Sequence, residues 1–300
     1  MRRGPVLLTA AGGCAVIHAA GVLTASPAWR YAEVLAIGLL IIYAVASGLP
    51  TPRWAVPAAL AVLLLDALWT MPADRAEGHG WQVLRPDTAG VDRLAGFEAG
   101  LAICWASLTA VALLLAAWHR RGNRHLGPGV HPRRRRTTVT AALAAVLITG
   151  YAAVRILAIW LTLATAQRDH PTGADLAGSV IAVSLAVLPP LGLGLAALAL
   201  ATALAGHRRW LASAGATLLA VTALSHVDTA IRAVPLPLYA GDQLAWSAAY
   251  AIASTPWTPS PVAALTALLE LAAYLLLVTG LTGFHPPTST ARSQAGQSRR

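Results

Sequence analysis

The arginines of this chain are sorted along its length, and the sorting limits what it can fold into. All 22 of its Lys and Arg residues are arginine. Fifteen of them (Arg2, Arg3, Arg53, Arg120, Arg121, Arg124, Arg133 to Arg136, Arg208, Arg209, Arg292, Arg299 and Arg300) lie in short segments without a single Asp or Glu. Apolar stretches separate those segments, each close to the roughly 20 residues that cross a bilayer core at about 1.5 Å per residue. Cytoplasmic loops of membrane proteins carry excess Lys and Arg, so the pattern predicts an orientation as well as a class.

Composition agrees. The chain is 57% hydrophobic and 11% charged, with a mean hydropathy of +0.62, whereas about 25% of the residues in soluble domains are charged. Eight stretches are long enough to span: 5–25, 33–49, 54–70, 96–118, 138–165, 177–205, 210–231 and 261–283. They are rich in Ala, Leu and Val and lack the ten-residue alternation of a transmembrane barrel. The expected fold is all-α, a polytopic integral membrane protein with an eight-helix transmembrane bundle over 1–283. A basic loop at 119–137 interrupts it, and a disordered Ser/Thr/Gln/Arg-rich tail follows at 284–300.

With the N-terminus inside, the segments 1–4, 50–53, 119–137, 206–209 and 284–300 are cytoplasmic and hold all fifteen arginines. The segments 26–32, 71–95, 166–176 and 232–260 lie outside, and carry Asp74, Glu77, Asp87, Asp92, Asp169, Asp175 and Asp242. This places a multi-pass protein in the cell membrane with both termini cytoplasmic. Trp29, Trp54, Trp69, Trp118 and Trp210 fall at span ends, where indoles prefer the headgroup level. Residues 1–25 resemble a signal peptide, but the apolar run exceeds a typical h-region and reads as the first span.

A net charge of +10 raises the question of nucleic acid. The run Arg133 to Arg136 has no room for a binding fold between two spans, so it reads as a topogenic stop that touches anionic headgroups. The partners expected are thus the bilayer, those headgroups and an unknown small solute or lipid, with no nucleic acid. Cys14 and Cys104 sit inside spans and read as small packing residues.

The halves 1–118 and 138–283 read as two parallel four-helix repeats. Each has a short inner turn ending in Arg-Trp (Arg53-Trp54 and Arg209-Trp210). Each closes its third span with a late Asp (Asp66, Asp228) and carries a Glu in its fourth (Glu98, Glu270). An even number of spans per unit gives parallel repeats, as in some transporters.

An ionisable group within a span is costly unless paired or wetted, so each is a candidate for function. Those identified are His18, Asp66, Glu98, Arg155, His226, Asp228 and Glu270. They gather in the outer half and form a bowl over an apolar cytoplasmic floor. The expected partner of Arg155 is Glu270, as part of a binding site or as an ion pair pinning two helices. Asp228 and Arg232 can also pair at i,i+4, while His226 and Asp228 point about 200° apart. That spacing excludes a two-ligand metal face, and no Walker, GxSxG or dinucleotide motif implies a cofactor. Pro189-Pro190 predicts a kink or break in the sixth span. Asp242 to Ala253 suits a short helix on the outer surface.

The function expected is a small permease or a solute- or lipid-binding protein. One alternative is a membrane-embedded enzyme with Asp66, Asp228 or Glu270 as general acid on a lipid or isoprenoid. The other is a structural or accessory subunit.

Overall fold

Residues rich in Ala, Leu and Val, with few breakers between the arginine clusters, leave the backbone one economical way to satisfy its hydrogen bonds, the helix. The computed structural model describes residues 3–24, 26, 31–47, 54–70, 93–122, 132–169, 176–205, 209–234 and 261–282. Among them are eight helices: α1 (Arg3–Thr24), α2 (Tyr31–Ala46), α3 (Ala55–Trp69), α4 (Arg93–Gly122), α5 (Pro132–Asp169), α6 (Leu176–Ala205), α7 (Trp210–Ala233) and α8 (Pro261–Thr282). The fold is all-helical over these residues.

Six of the eight, α1 and α4 to α8, are long and apolar enough to cross a membrane. The other two are apolar but shorter, with 16 residues in α2 and 15 in α3. At helical rise they reach only about 22–24 Å against a hydrocarbon core of about 30 Å. The sequence supplies a reason for the end of α2: Gly48, Pro50 and Pro52 follow it directly, and the residue before a proline disfavours helix. In the other direction, α4 continues to Gly122 and α5 begins at Pro132. The expected loop 119–137 is therefore partly helix. The outer segment 242–253 and the tail 284–300 lie outside the described residues.

The helices pack in a closed circuit: α1 on α2, α2 on α3, α3 on α4, α4 on α7, α7 on α8, and α8 back on α1. The circuit is drawn in where α2 also touches α8. Outside it, α6 lies against α4 and α7, and α5 lies against α6 and α7. Half of the most apolar window of α6 is buried, against 11% of that of α5. Val139, Leu143, Leu147, Val154 and Leu157 of α5 are accordingly exposed.

Small residues set the closest approaches. Gly96 and Gly100 of α4 abut the backbone of Ala182 and Ala186 in α6, where a Cβ would collide with the carbonyl groups. Gly215 of α7 meets Ala273 of α8 in the same manner, and Gly280 of α8 meets Ala212 of α7. The Gly-xxx-Gly spacing of 96 and 100 is the small-xxx-small pattern that brings apolar helices together.

The prolines in α6 belong to the same contact. The expected break is not there: α6 runs without interruption through Pro189 and Pro190, both buried. Proline lacks an N–H, so Pro190 leaves the carbonyl of Ala186 without its intrahelical donor. That carbonyl faces Gly100 of α4 across the close contact.

At the opposite end of the bundle from Glu33 and Asp66, Arg209 ties three helices together. Its Nη1 donates to the Leu281 carbonyl at 2.7 Å, filling an acceptor in the last turn of α8. The guanidinium stacks over Trp118 of α4, 5.6 Å from the ring centre.

Gly100→Ala should cost about 1–3 kcal/mol through overpacking against Ala186. Gly150→Ala, with nothing within 4 Å of the new Cβ, should be neutral or stabilising. Thermal unfolding of the two purified variants in detergent checks the contrast, and equal losses would refute the close-approach account.

Candidate functional site

Glu270 lies nine residues past Pro261, near the middle of α8. An ionised carboxylate there must be bonded to be tolerated. It has two neighbours. Ser107 of α4 donates its hydroxyl to Oε1 at 2.5 Å, and His226 of α7 holds Nε2 3.6 Å from Oε2. Glu270 still keeps 23% of its side-chain surface exposed.

Other polar groups converge on the same place from the rest of the circuit. Tyr274 is one turn beyond Glu270 on the same face of α8. It is only 4% exposed, and its hydroxyl has no hydrogen-bond partner among the described residues. That hydroxyl lies beside Ser107, within electrostatic reach of Glu270 and Asp66. Asp66, near the end of α3, lies beside the indole of Trp105 on α4 and within electrostatic reach of Glu270. His18 of α1 is buried, with Nε2 3.6 Å from Oε2 of Glu33 in α2, and it too reaches Glu270 electrostatically. Six helices thus direct His18, Glu33, Asp66, Ser107, His226 and Glu270 to one polar locus. Among the described residues no three His, Cys, Asp or Glu side chains are placed to hold a metal ion.

A second locus stands apart. Arg155 of α5 donates from Nε to Oδ1 of Asp228 at 2.6 Å, and Tyr151 donates to Oδ2 at 2.8 Å. Both charged side chains are about a third exposed, 35% and 33%. The expected Arg155–Glu270 pair is therefore not formed. The reason is topological: α5 packs on α6 and α7, and α7 stands between it and α8. Asp228 also bonds to Arg155 and Tyr151 rather than, as spacing allowed, to Arg232. The opposed directions of His226 and Asp228 carry through, since one faces Glu270 and the other faces α5.

Of the residues singled out from sequence, the first locus gathers His18, Asp66, His226 and Glu270. Arg155 and Asp228 form the second. Glu98 is exposed on α4, and no described bond joins it to either. Sequence reasoning missed Glu33, Trp105, Ser107, Tyr151 and Tyr274. Glu33 was visible as an acid opening a span. The neutral polar residues carried no comparable signal, because a lone hydroxyl or indole costs little in an apolar helix. Cys104 donates weakly to the Gly100 carbonyl at 3.2 Å and is a free, buried thiol, as its packing role predicts.

Comparison with protein-family models, curated proteins and solved structures finds no match to this chain.

The Arg155–Asp228 bond should behave as a coupled pair. Removing one partner should cost about 1–3 kcal/mol, less than a fully buried pair because both groups are partly exposed. The double variant Arg155→Met with Asp228→Leu should recover part of that loss. A thermal-unfolding double-mutant cycle reads it, and strictly additive losses would show that the two residues do not interact.

Proposed function

We propose that this is a multi-pass membrane protein of permease or receptor type that binds a small polar solute at the locus centred on Glu270. The observation that carries the reading is the convergence of titratable and hydroxyl groups from six helices on one carboxylate that remains partly exposed. A structural ion pair needs two helices and closes on itself, as Arg155 and Asp228 do. At the Glu270 locus the buried Tyr274 hydroxyl has no hydrogen-bond partner among the described residues.

Position supports access from one side. Asp66 lies near the end of α3, Glu33 near the start of α2, and His18 in the later part of α1. An up-and-down chain brings those three helix ends to the same face. The arginine distribution supports placing that face outside the cell membrane, with both termini cytoplasmic. At the opposite end Trp118, Arg209 and Leu281 close the bundle with a cap and a stacking contact. A solute therefore reaches Glu270 from outside. The six long apolar helices cross the bilayer, and α2 and α3 complete the circuit around the site.

Two measurements bear on this. Reporter fusions at the N- and C-termini should both report the cytoplasm, and a periplasmic or extracellular signal from either would reverse the orientation. For the site, a thermal-shift screen of the purified chain against small polar solutes should find at least one class that stabilises the wild type and fails to stabilise Glu270→Gln. The variant itself should fold. If Glu270→Gln only lowers stability and no solute affects the wild type, Glu270 is a structural residue and the reading is lost.

A further inference from the structure

The chemistry of the same locus narrows its ligand, an inference that rests on the solute-binding reading. Asp66 lies within electrostatic reach of Glu270, and among the described residues no arginine is named as acting on either of them. Glu270 faces the His226 imidazole directly, while the neutral indole of Trp105 lies beside Asp66. Three carboxylates, Glu270, Asp66 and Glu33, stand against two imidazoles, His226 and His18, and leave a negative excess. Like charges at close quarters favour binding of a cation or a proton.

The Tyr274 hydroxyl is the independent sign that a ligand is wanted. It is buried to 4% exposure and lies among Ser107, Glu270 and Asp66, with no hydrogen bond completed among the described residues. Buried polar atoms are normally bonded, and an exception calls for an explanation. The Ser107 hydrogen is already committed to Glu270. What the locus lacks is a positively charged group with several N–H donors. A primary ammonium has three donors, one each for Glu270, Asp66 and the Tyr274 oxygen. Charge-assisted bonds to both carboxylates are the strong kind. A bare metal ion fits less well, since no three ligating side chains converge among the described residues.

We propose that the Glu270 locus binds a small organic cation carrying a primary ammonium group, held between Glu270 and Asp66 with Tyr274 as the third acceptor. The test uses the purified full-length chain in detergent at neutral pH. The probes are butylamine, benzylamine and putrescine, with butanol, benzyl alcohol and butyrate as counterparts of similar shape. The amines should raise the melting temperature and the counterparts should not. Glu270→Gln and Asp66→Asn should each weaken amine binding by about tenfold or more, the loss of a charge-assisted bond. Tyr274→Phe separates binding from folding. It removes a hydroxyl that completes no hydrogen bond among the described residues, so the ligand-free melting temperature should hold or rise while amine affinity falls several-fold. Unchanged amine affinity in Tyr274→Phe would remove Tyr274 from the site and overturn the three-acceptor geometry. If butanol or butyrate stabilises in a Glu270-dependent way and the amines do not, the ammonium assignment is wrong and the solute site stands. If no probe acts, the assignment is also wrong, and the wider solute screen decides whether the site itself survives.

Discussion

The bond from Ser107 to Glu270 is the contact around which the rest of the interior is arranged. A carboxylate in the middle of an apolar helix is tolerable only with donors at hand, and those donors come from other helices. Ser107 brings α4, and the facing imidazole of His226 brings α7. Through electrostatics Glu270 also reaches His18 on α1 and Asp66 on α3. The charge therefore gives the circuit of helices a common centre. The glycine and alanine contacts between α4 and α6, and between α7 and α8, hold the backbones close enough for such short side chains to meet. Close packing and polar convergence depend on each other here.

The two polar loci divide the work. Arg155 and Tyr151 both donate to Asp228 between α5 and α7, one to each carboxylate oxygen. That is the economy of a fastening. The Glu270 locus combines acids, imidazoles, hydroxyls and an indole in unequal numbers. His226 and Asp228, two residues apart on α7, serve the two loci from opposite sides of one helix, which is why a substitution at either should leave the other intact.

Much of the architecture was legible in the sequence, for a simple reason. Span boundaries are set by local composition, and arginine clusters, tryptophans and prolines mark them directly. α2 and α3 are a residue or two shorter than the spans expected at 33–49 and 54–70, and Gly48, Pro50 and Pro52 follow α2 in the sequence. The partners of the charged residues were less legible, since pairing depends on which helices are neighbours. Arg155 was expected at Glu270, but α7 separates α5 from α8 and presents Asp228 first. Of the kink or break expected at Pro189-Pro190 the break is absent, and the carbonyl that Pro190 deprives of its intrahelical donor faces a glycine some 90 residues earlier, a juxtaposition no local pattern reveals. His18, Asp66, His226 and Glu270 were identifiable one by one, because ionisable groups are conspicuous in apolar surroundings. Ser107 and Tyr274 became visible only once the helices were placed.

The order of the circuit has a consequence for how the protein is made. The contacts that close it, α8 on α7 and α8 on α1, join helices far apart in the sequence as well as neighbours. Glu270 itself rides on α8. While the ribosome is still working upstream of Pro261, His18, Asp66 and His226 have no common partner, and the polar locus does not exist. Assembly of the site thus waits until α8 has been made, and a chain that stops before Pro261 is born without it.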